Sequence, residues 1–167
     1  MSGKLAPLFR QLTHGVYVIG VAGNGRYNAF TAAWLMQVSF EPLMLALSIN
    51  RRHSSYALLK AGDGFTVNVL RQGQDDLALH FGQPSTVNKL AAIAWRQSRR
   101  GTPLLDDALA WFECEFVREC PAGDHLVVLG RVVDGAILAP AAQPMNYRDT
   151  GEMDGSATLF PDTFGTS

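Results

Sequence analysis

The sequence predicts a mainly β protein, a barrel of strands with a few short flanking helices. Three observations predict it. Apolar runs are short and rich in β-branched residues, several alternate between apolar and polar positions, and helical stretches are fewer and short. That pattern favours a barrel over a regular alternation of strands and helices.

Each element has its own reason. Val16 to Val21 is a β-branched apolar run ended by Gly and Asn, hence a strand. Leu43 to Ile49 is continuous enough to be buried on both faces. "SSYALLKAG" reads as a short helix: Ser54 or Ser55 can cap it, Lys60 suits its last turn and Gly62 can end it. "FTVNVL" alternates, with Phe65, Val67 and Val69 on one face. "DDLALHFG" is a second helix, acidic at its start and closed by Gly82. "WFECEFVRE" alternates again, placing Phe112, Cys114 and Phe116 inward and Glu113 and Glu115 outward. "HLVVLGRVVDG" is a long strand in which Gly130 marks a bulge or a close approach. The 167 residues suffice for one domain, 1–167, with residues 146–167 as a polar, Gly-rich tail. Leu159, Phe160 and Phe164 can dock that tail, the alternative being a mobile end.

The stretch "GVYVIGVAGNGRYNAF" offers two readings. Gly23-x-Gly25 after an apolar run suits a dinucleotide-binding loop, and "AFTAAWLMQ" can be locally helical. The third glycine is instead Asn28, and Glu41 stands before the next strand rather than at its far end. Arginines at that far end, Arg51 and Arg52, suit a phosphorylated ribose. A hairpin needs less: Asn24-Gly25 tolerates positive φ at both central positions of a type I′ turn. The hairpin is the favoured reading.

A net charge of −1, with 17% charged residues, implies no nucleic-acid partner and no anionic membrane surface. The opening "MSGKLAPLF" lacks the apolar centre of a signal peptide, and no apolar run is long enough to span a bilayer. The expected location is cytoplasmic. Cys114 and Cys120 lie six extended steps apart, roughly 20 Å, so reduced thiols are expected. His14, His53, His80 and His125 show no metal-binding spacing, and no metal site is expected. "DTG" at Asp149 to Gly151 reads as a turn, since an aspartic protease needs two carboxylates in a buried loop. "NRRHSSY" supplies two arginines, a histidine and two hydroxyls just before a helix. It reads equally well as a phosphate cradle or as an N-cap beside solvated arginines.

At these residues the chain resembles the flavin reductase-like family, whose fold is the FMN-binding split barrel. The resemblance runs roughly from Leu12 to Tyr147. It is carried by "LTHGVYVIG", "FTAAWLMQVSFEP", "INRRHSSYALL", "GDGFTVNVLRQGQDDLALHFG" and "PAGDHLVVLGRVVDG", the last with Gly123, Asp124 and His125. The tail "DTGEMDGSATLFP" is similar to that of a small-flavoprotein branch. The resemblance implies an antiparallel split β-barrel of Greek-key type, paired as a homodimer with the flavin near the interface.

It also implies roles. Thr31, Ala32 and Ala33 would line the cofactor, with Trp34 beside them. Ser39 and Phe40 would present backbone groups to the ring. Asn50, Ser54 and Ser55 would approach the ribityl-phosphate, with Arg52 and His53 in the same segment. His125 would sit at the ring's reactive face as the catalytic residue, where NADH or NADPH delivers hydride to FMN or FAD. His53 and Ser55 depart from the family's common serine and threonine, and Trp34 replaces a common serine, as in a branch related to flavoredoxin and diflavin proteins. Two functions follow from the resemblance: a nicotinamide-dependent flavin reductase serving a monooxygenase or other redox partner, or a flavin-binding electron carrier.

Overall fold

The computed structural model describes residues 5–165. Helix α1 (Leu5–Phe9) leads into β1 (Tyr17–Gly23) and β2 (Arg26–Ala32). These two strands form a hairpin in which Gly23 faces Arg26. Asn24 (φ 52°) and Gly25 (φ 73°) fill its two-residue turn, both left-handed as a type I′ turn requires. The dinucleotide loop is therefore excluded. The stretch that can be locally helical is instead the end of β2 followed by β3 (Leu35–Phe40).

Next come β4 (Leu43–Asn50), α2 (Ser54–Gly62), β5 (Gly64–Val69), α3 (Asp75–Phe81) and the short β6 (Trp95–Gln97) and β7 (Pro103–Leu105). Two long strands follow, β8 (Ala110–Ala122) and β9 (His125–Ile137). Seven strands form one antiparallel sheet in the order β2-β1-β5-β8-β9-β4-β3, while β6 and β7 make a separate ribbon.

Closure follows from connectivity. The two edges of the sheet, β2 and β3, are consecutive in the chain and joined only by Ala33 and Trp34. Flat, seven strands would hold these edges about 30 Å apart. A two-residue link reaches about 10 Å. The sheet must curl until the end of β2 lies beside the start of β3, while the two edges stay unpaired, giving the expected split barrel.

The inner face packs Ile19, Val21, Leu47, Phe65, Val67 and Val128. A second cluster, with Val16, Val18, Phe81 and Leu105, lies under α3 and the β6–β7 ribbon. This second cluster corrects the reading of β5 as one-faced: Thr66 and Asn68 are as buried as Phe65 and Val67. Asn68 donates to the carbonyls of Val18 (3.0 Å) and Pro103 (3.3 Å) and accepts from Leu105 N–H (2.8 Å). It thereby pins the ribbon to the barrel. Asn68→Ala is expected to cost about 3 kcal/mol in denaturant unfolding, because three partners lose a buried bond at once. A loss below about 1 kcal/mol would show that water replaces the amide.

Other expectations need correction. Glu113 is buried, not outward, because a register shift falls between Glu113 and Cys114. Its carboxylate accepts the Arg100 N–H at 2.9 Å. Leu43 is exposed, so β4 is buried through Leu45–Leu47 and Ile49 only. The N-cap of α2 is His53, not a serine, and its C-cap is Asp63 at φ 56°. Gly62 is needed for packing instead: a Cβ there would lie 1.8 Å from the Ala22 carbonyl oxygen. Gly130 is a close approach, since its Cβ would meet the Phe65 ring at 2.8 Å. Both cysteines are free, and burial pushes the Cys114 thiol up to about 12. No helix among the described residues is long and apolar enough to cross a membrane.

Candidate functional site

Strand β2 is paired on one side only, so half of its backbone groups point out of the sheet. The expected cofactor residues gather along this edge and at its two ends.

At one end, Trp34 follows β2 and His125 opens β9. Their rings lie 5.0 Å apart, inclined at 50°. His125 is placed by the two-residue turn Gly123-Asp124, in which Gly123 adopts φ 62°. A glycine at the first central position suits a type II′ hairpin. His125 Nδ1 lies 2.8 Å from Asp124 Oδ1. An ionised carboxylate only accepts, so Nδ1 carries a proton, and in the neutral ring Nε2 becomes the acceptor. The same bond holds the Asp124 carboxyl below the usual range.

Beside this pair is a cavity of about 610 Å³. The barrel contributes Trp34, Ser48 and His125, and the opposite wall includes Phe9, Leu159 and Phe160. That wall is built by the tail. Tyr147 donates its hydroxyl hydrogen to Asp154 at 2.5 Å and so accepts from Ser156 at 3.0 Å. Arg10 of the N-terminal segment pairs with Glu152 at 3.3 Å, and Phe160 packs on Phe9 with ring centroids 5.3 Å apart. Of the three apolar residues expected to dock the tail, only Phe160 does; Leu159 and Phe164 are exposed, and Tyr147 and Met153 reach the core cluster instead.

Asn50 connects the two ends. It pairs with His125 across β4 and β9, and its side chain accepts the Arg52 N–H at 2.9 Å, turning the chain into α2. There His53 Nδ1 accepts the Ser55 N–H at 3.2 Å, and the His53 ring packs on Phe30 with centroids 4.3 Å apart. Burial, then the charge of Lys89, lowers the His53 pKa. The neutral ring therefore keeps its proton on Nε2 as a donor. Buried Ser55 accepts from the Asn28 amide at 2.8 Å. Cap and cluster thus coexist: His53 satisfies the helix end, leaving Ser54, Arg51 and Arg52 without ion pairs or side-chain bonds among the described residues.

Thr31 lies on the track, but its hydroxyl hydrogen goes to the Ala78 carbonyl at 2.6 Å, tying α3 to β2. Toward any ligand it can only accept. Ala32 and Ala33 follow, half-buried and small. Ser39 and Phe40 stand apart. Six residues beyond Trp34, roughly 20 Å along the strand, Phe40 is 84% exposed. Within one chain they do not join the others. Asn28 and Lys89 were missed by sequence reasoning. Asn28 stood out only as an absent glycine, and Lys89 sits in an irregular loop without a motif. Among the described residues no cluster of three His, Cys, Asp or Glu could hold a metal ion.

The fold and these groups define a split β-barrel with a candidate track for a flat ring bearing a phosphate. Residues 9–155 match the family model described as a flavin reductase like domain, and the chain belongs to that family. It is 34% identical to a high molecular weight rubredoxin of Moorella thermoacetica, over 81% of this chain and 61% of that one. It is 32% identical to the reductase component of a flavin-dependent trigonelline monooxygenase of Acinetobacter baylyi, over 77% of this chain and 42% of that one. The chain thus spans about half the length of these curated relatives. Among solved structures it is similar to an NADH:FAD oxidoreductase of Streptomyces globisporus, with 30% identity, a TM-score of 0.79 and 86% of each chain covered. That protein has also been solved in complex with NAD and FAD fragments.

Proposed function

We propose that the chain is the flavin-binding unit of an NADH- or NADPH-dependent flavin reductase. The observation that carries this reading is the pair of side-chain groups gathered at the two ends of β2. An aromatic–imidazole pair beside a largely apolar cavity lies at one end, and hydroxyl, amide and cationic groups around Ser55 lie at the other. This donor set fits FMN or FAD: flat apolar walls for a ring, and hydrogen-bond donors with positive charge for a phosphate.

Bound there, a flavin would supply two-electron chemistry between the nicotinamide and a later acceptor. The chain binds and orients. Trp34 offers a flat face. Thr31, Ala32 and Ala33 let a ring approach the backbone closely. Asn50, Arg52, His53, Ser54 and Ser55 hold the phosphate. His125, fixed through Asp124, orients the nicotinamide and stabilises negative charge at the ring end. Phe9, Phe160 and the tail exclude water from the cavity.

Ser39 and Phe40 can serve such a site only from a second copy. Met36 (63% exposed), Phe40 and Leu43 (52%) give an apolar strip that a homodimer would cover. A solution mass of one chain at micromolar concentration would remove that part of the proposal. The similarity to a monooxygenase reductase component supports such an oxygenase as the redox partner.

The likeness to a rubredoxin supports a second reading, a flavin-binding electron carrier. Anaerobic mixing separates the two. Rapid bleaching of the flavin absorbance by NADH or NADPH is expected. Very slow bleaching, with fast reduction by a protein donor, would establish the carrier. A colourless protein that binds no added flavin would overturn both.

A further inference from the structure

The wall facing Trp34 and His125 across the cavity of about 610 Å³ comes from the two ends of the chain: Phe9 and Leu12 on one side, Ser156, Leu159 and Phe160 on the other. The tail is held unevenly along its length. As far as Asp154 it is anchored. Met145 is buried and donates to the Leu70 carbonyl at 2.9 Å, Tyr147 donates its N–H to the His14 carbonyl at 2.8 Å, and Met153 packs on the second core cluster. Glu152 pairs with Arg10, and Asp154 accepts from the Tyr147 hydroxyl. Gly155 then turns the chain at φ 64° and ψ 11°, a left-handed conformation that suits glycine. Beyond it the hold is slight. Ser156 still bonds to Asp154 and Tyr147, while Thr158 bonds only back to Gly155. From 159 to 165 no hydrogen bond or ion pair is made among the described residues. The aromatic attachment of this end is Phe160 on Phe9.

We propose that residues 156–165 form a lid over this cavity, hinged at Gly155 and latched by Phe160 on Phe9. The lid opens to admit a ligand to the ring end and closes on it. That this ligand is a nicotinamide dinucleotide rests on the flavin reading above; the hinge and the latch do not. Two features make the segment a lid rather than a plug or a loose end. With the latch in place the cavity keeps a volume within the range of small-molecule pockets, so the tail covers the space without filling it. Trp34, Phe9, Leu12 and Leu159 line the cavity and are all exposed, so a ligand between them buries apolar surface on both walls at once. Ligand and closed lid then stabilise each other by the same factor. A latch of one aromatic contact opens readily, on the microsecond-to-millisecond scale usual for lids.

Relaxation-dispersion NMR tests this on the full chain loaded with FMN, with NAD+ and NADP+ added in turn. These oxidised dinucleotides have no hydride to give, so the complex is static. Without them, exchange between two states is expected at residues 156–165 and at Phe9, but not in the barrel strands. The dinucleotide that binds should suppress it. Phe160→Ala should keep the segment mobile in its presence and weaken its binding about fivefold. Phe160→Leu, which keeps an apolar latch, should stay within about twofold of the unaltered chain. A segment as rigid as the strands in every state, or motion that neither dinucleotide alters, would overturn the lid. So would unchanged dinucleotide affinity in Phe160→Ala. Failure of FMN to bind would end the flavin reading instead. The flavin-free protein would then decide: exchange at 156–165 that Phe160→Ala shifts toward the open state upholds the lid, and rigidity overturns it.

Discussion

His125→Ala is expected to slow anaerobic flavin reduction by NADH or NADPH about 10- to 100-fold, while flavin affinity changes by less than about threefold. The asymmetry follows from where the imidazole sits. It lies against Trp34 and a largely apolar cavity, with Nδ1 tied to Asp124. The groups suited to a phosphate lie at the other end of β2, around Ser55 and His53. Removing the imidazole therefore takes a polar group from the ring end and leaves the phosphate cluster intact. Rapid-mixing absorbance gives the rate and titration gives the affinity. Equal losses in the two would assign His125 to cofactor retention. His125→Gln keeps a polar group without an imidazole and should recover part of the rate if orientation is the main role.

Gly62→Ala should destabilise the protein by about 3 kcal/mol or more. The added Cβ would fall 1.8 Å from the Ala22 carbonyl oxygen, well inside contact distance. The obstacle is backbone in β1, which cannot swing aside as a flexible side chain would. From the strand side the crossing is equally tight: a Cβ on Gly23 would meet Ala61 Cβ at 2.8 Å and the Leu58 carbonyl at 2.9 Å. Two glycines thus let α2 press directly onto the hairpin. Relief requires α2 to move away, and α2 carries Ser54 and Ser55. Flavin affinity should fall together with the denaturation midpoint. A loss of stability below about 1 kcal/mol would show that the helix shifts at little cost.

Much of this arrangement was legible in the residues. Asn24-Gly25 specified its turn because few residue pairs accept two positive φ values in succession. The alternation of "FTVNVL" marked a strand. It could not show that a second cluster, built from the distant Phe81 and Leu105, would bury the polar face as well. Glu113 misled for a local reason: an alternating pattern assumes an unbroken ladder, and the register shift beside Cys114 breaks it. The short α1, β6 and β7 carry too few periodic residues to be seen before they pack. Within the candidate site, "NRRHSSY" displayed the right chemistry but not its division of labour. That His53 caps the helix while Ser55 meets Asn28 depends on α2 crossing the hairpin. Lys89 had no legible signal, since only the folded loop brings it to the border of β2.

The bridge formed by Ala33 and Trp34 has a mechanical consequence. It acts as a drawstring: its shortness keeps both outer borders of the sheet facing each other. Lengthening it would slacken the closure, uncover two rows of unpaired amides and carbonyls, and offer them to neighbouring chains as templates for aggregation.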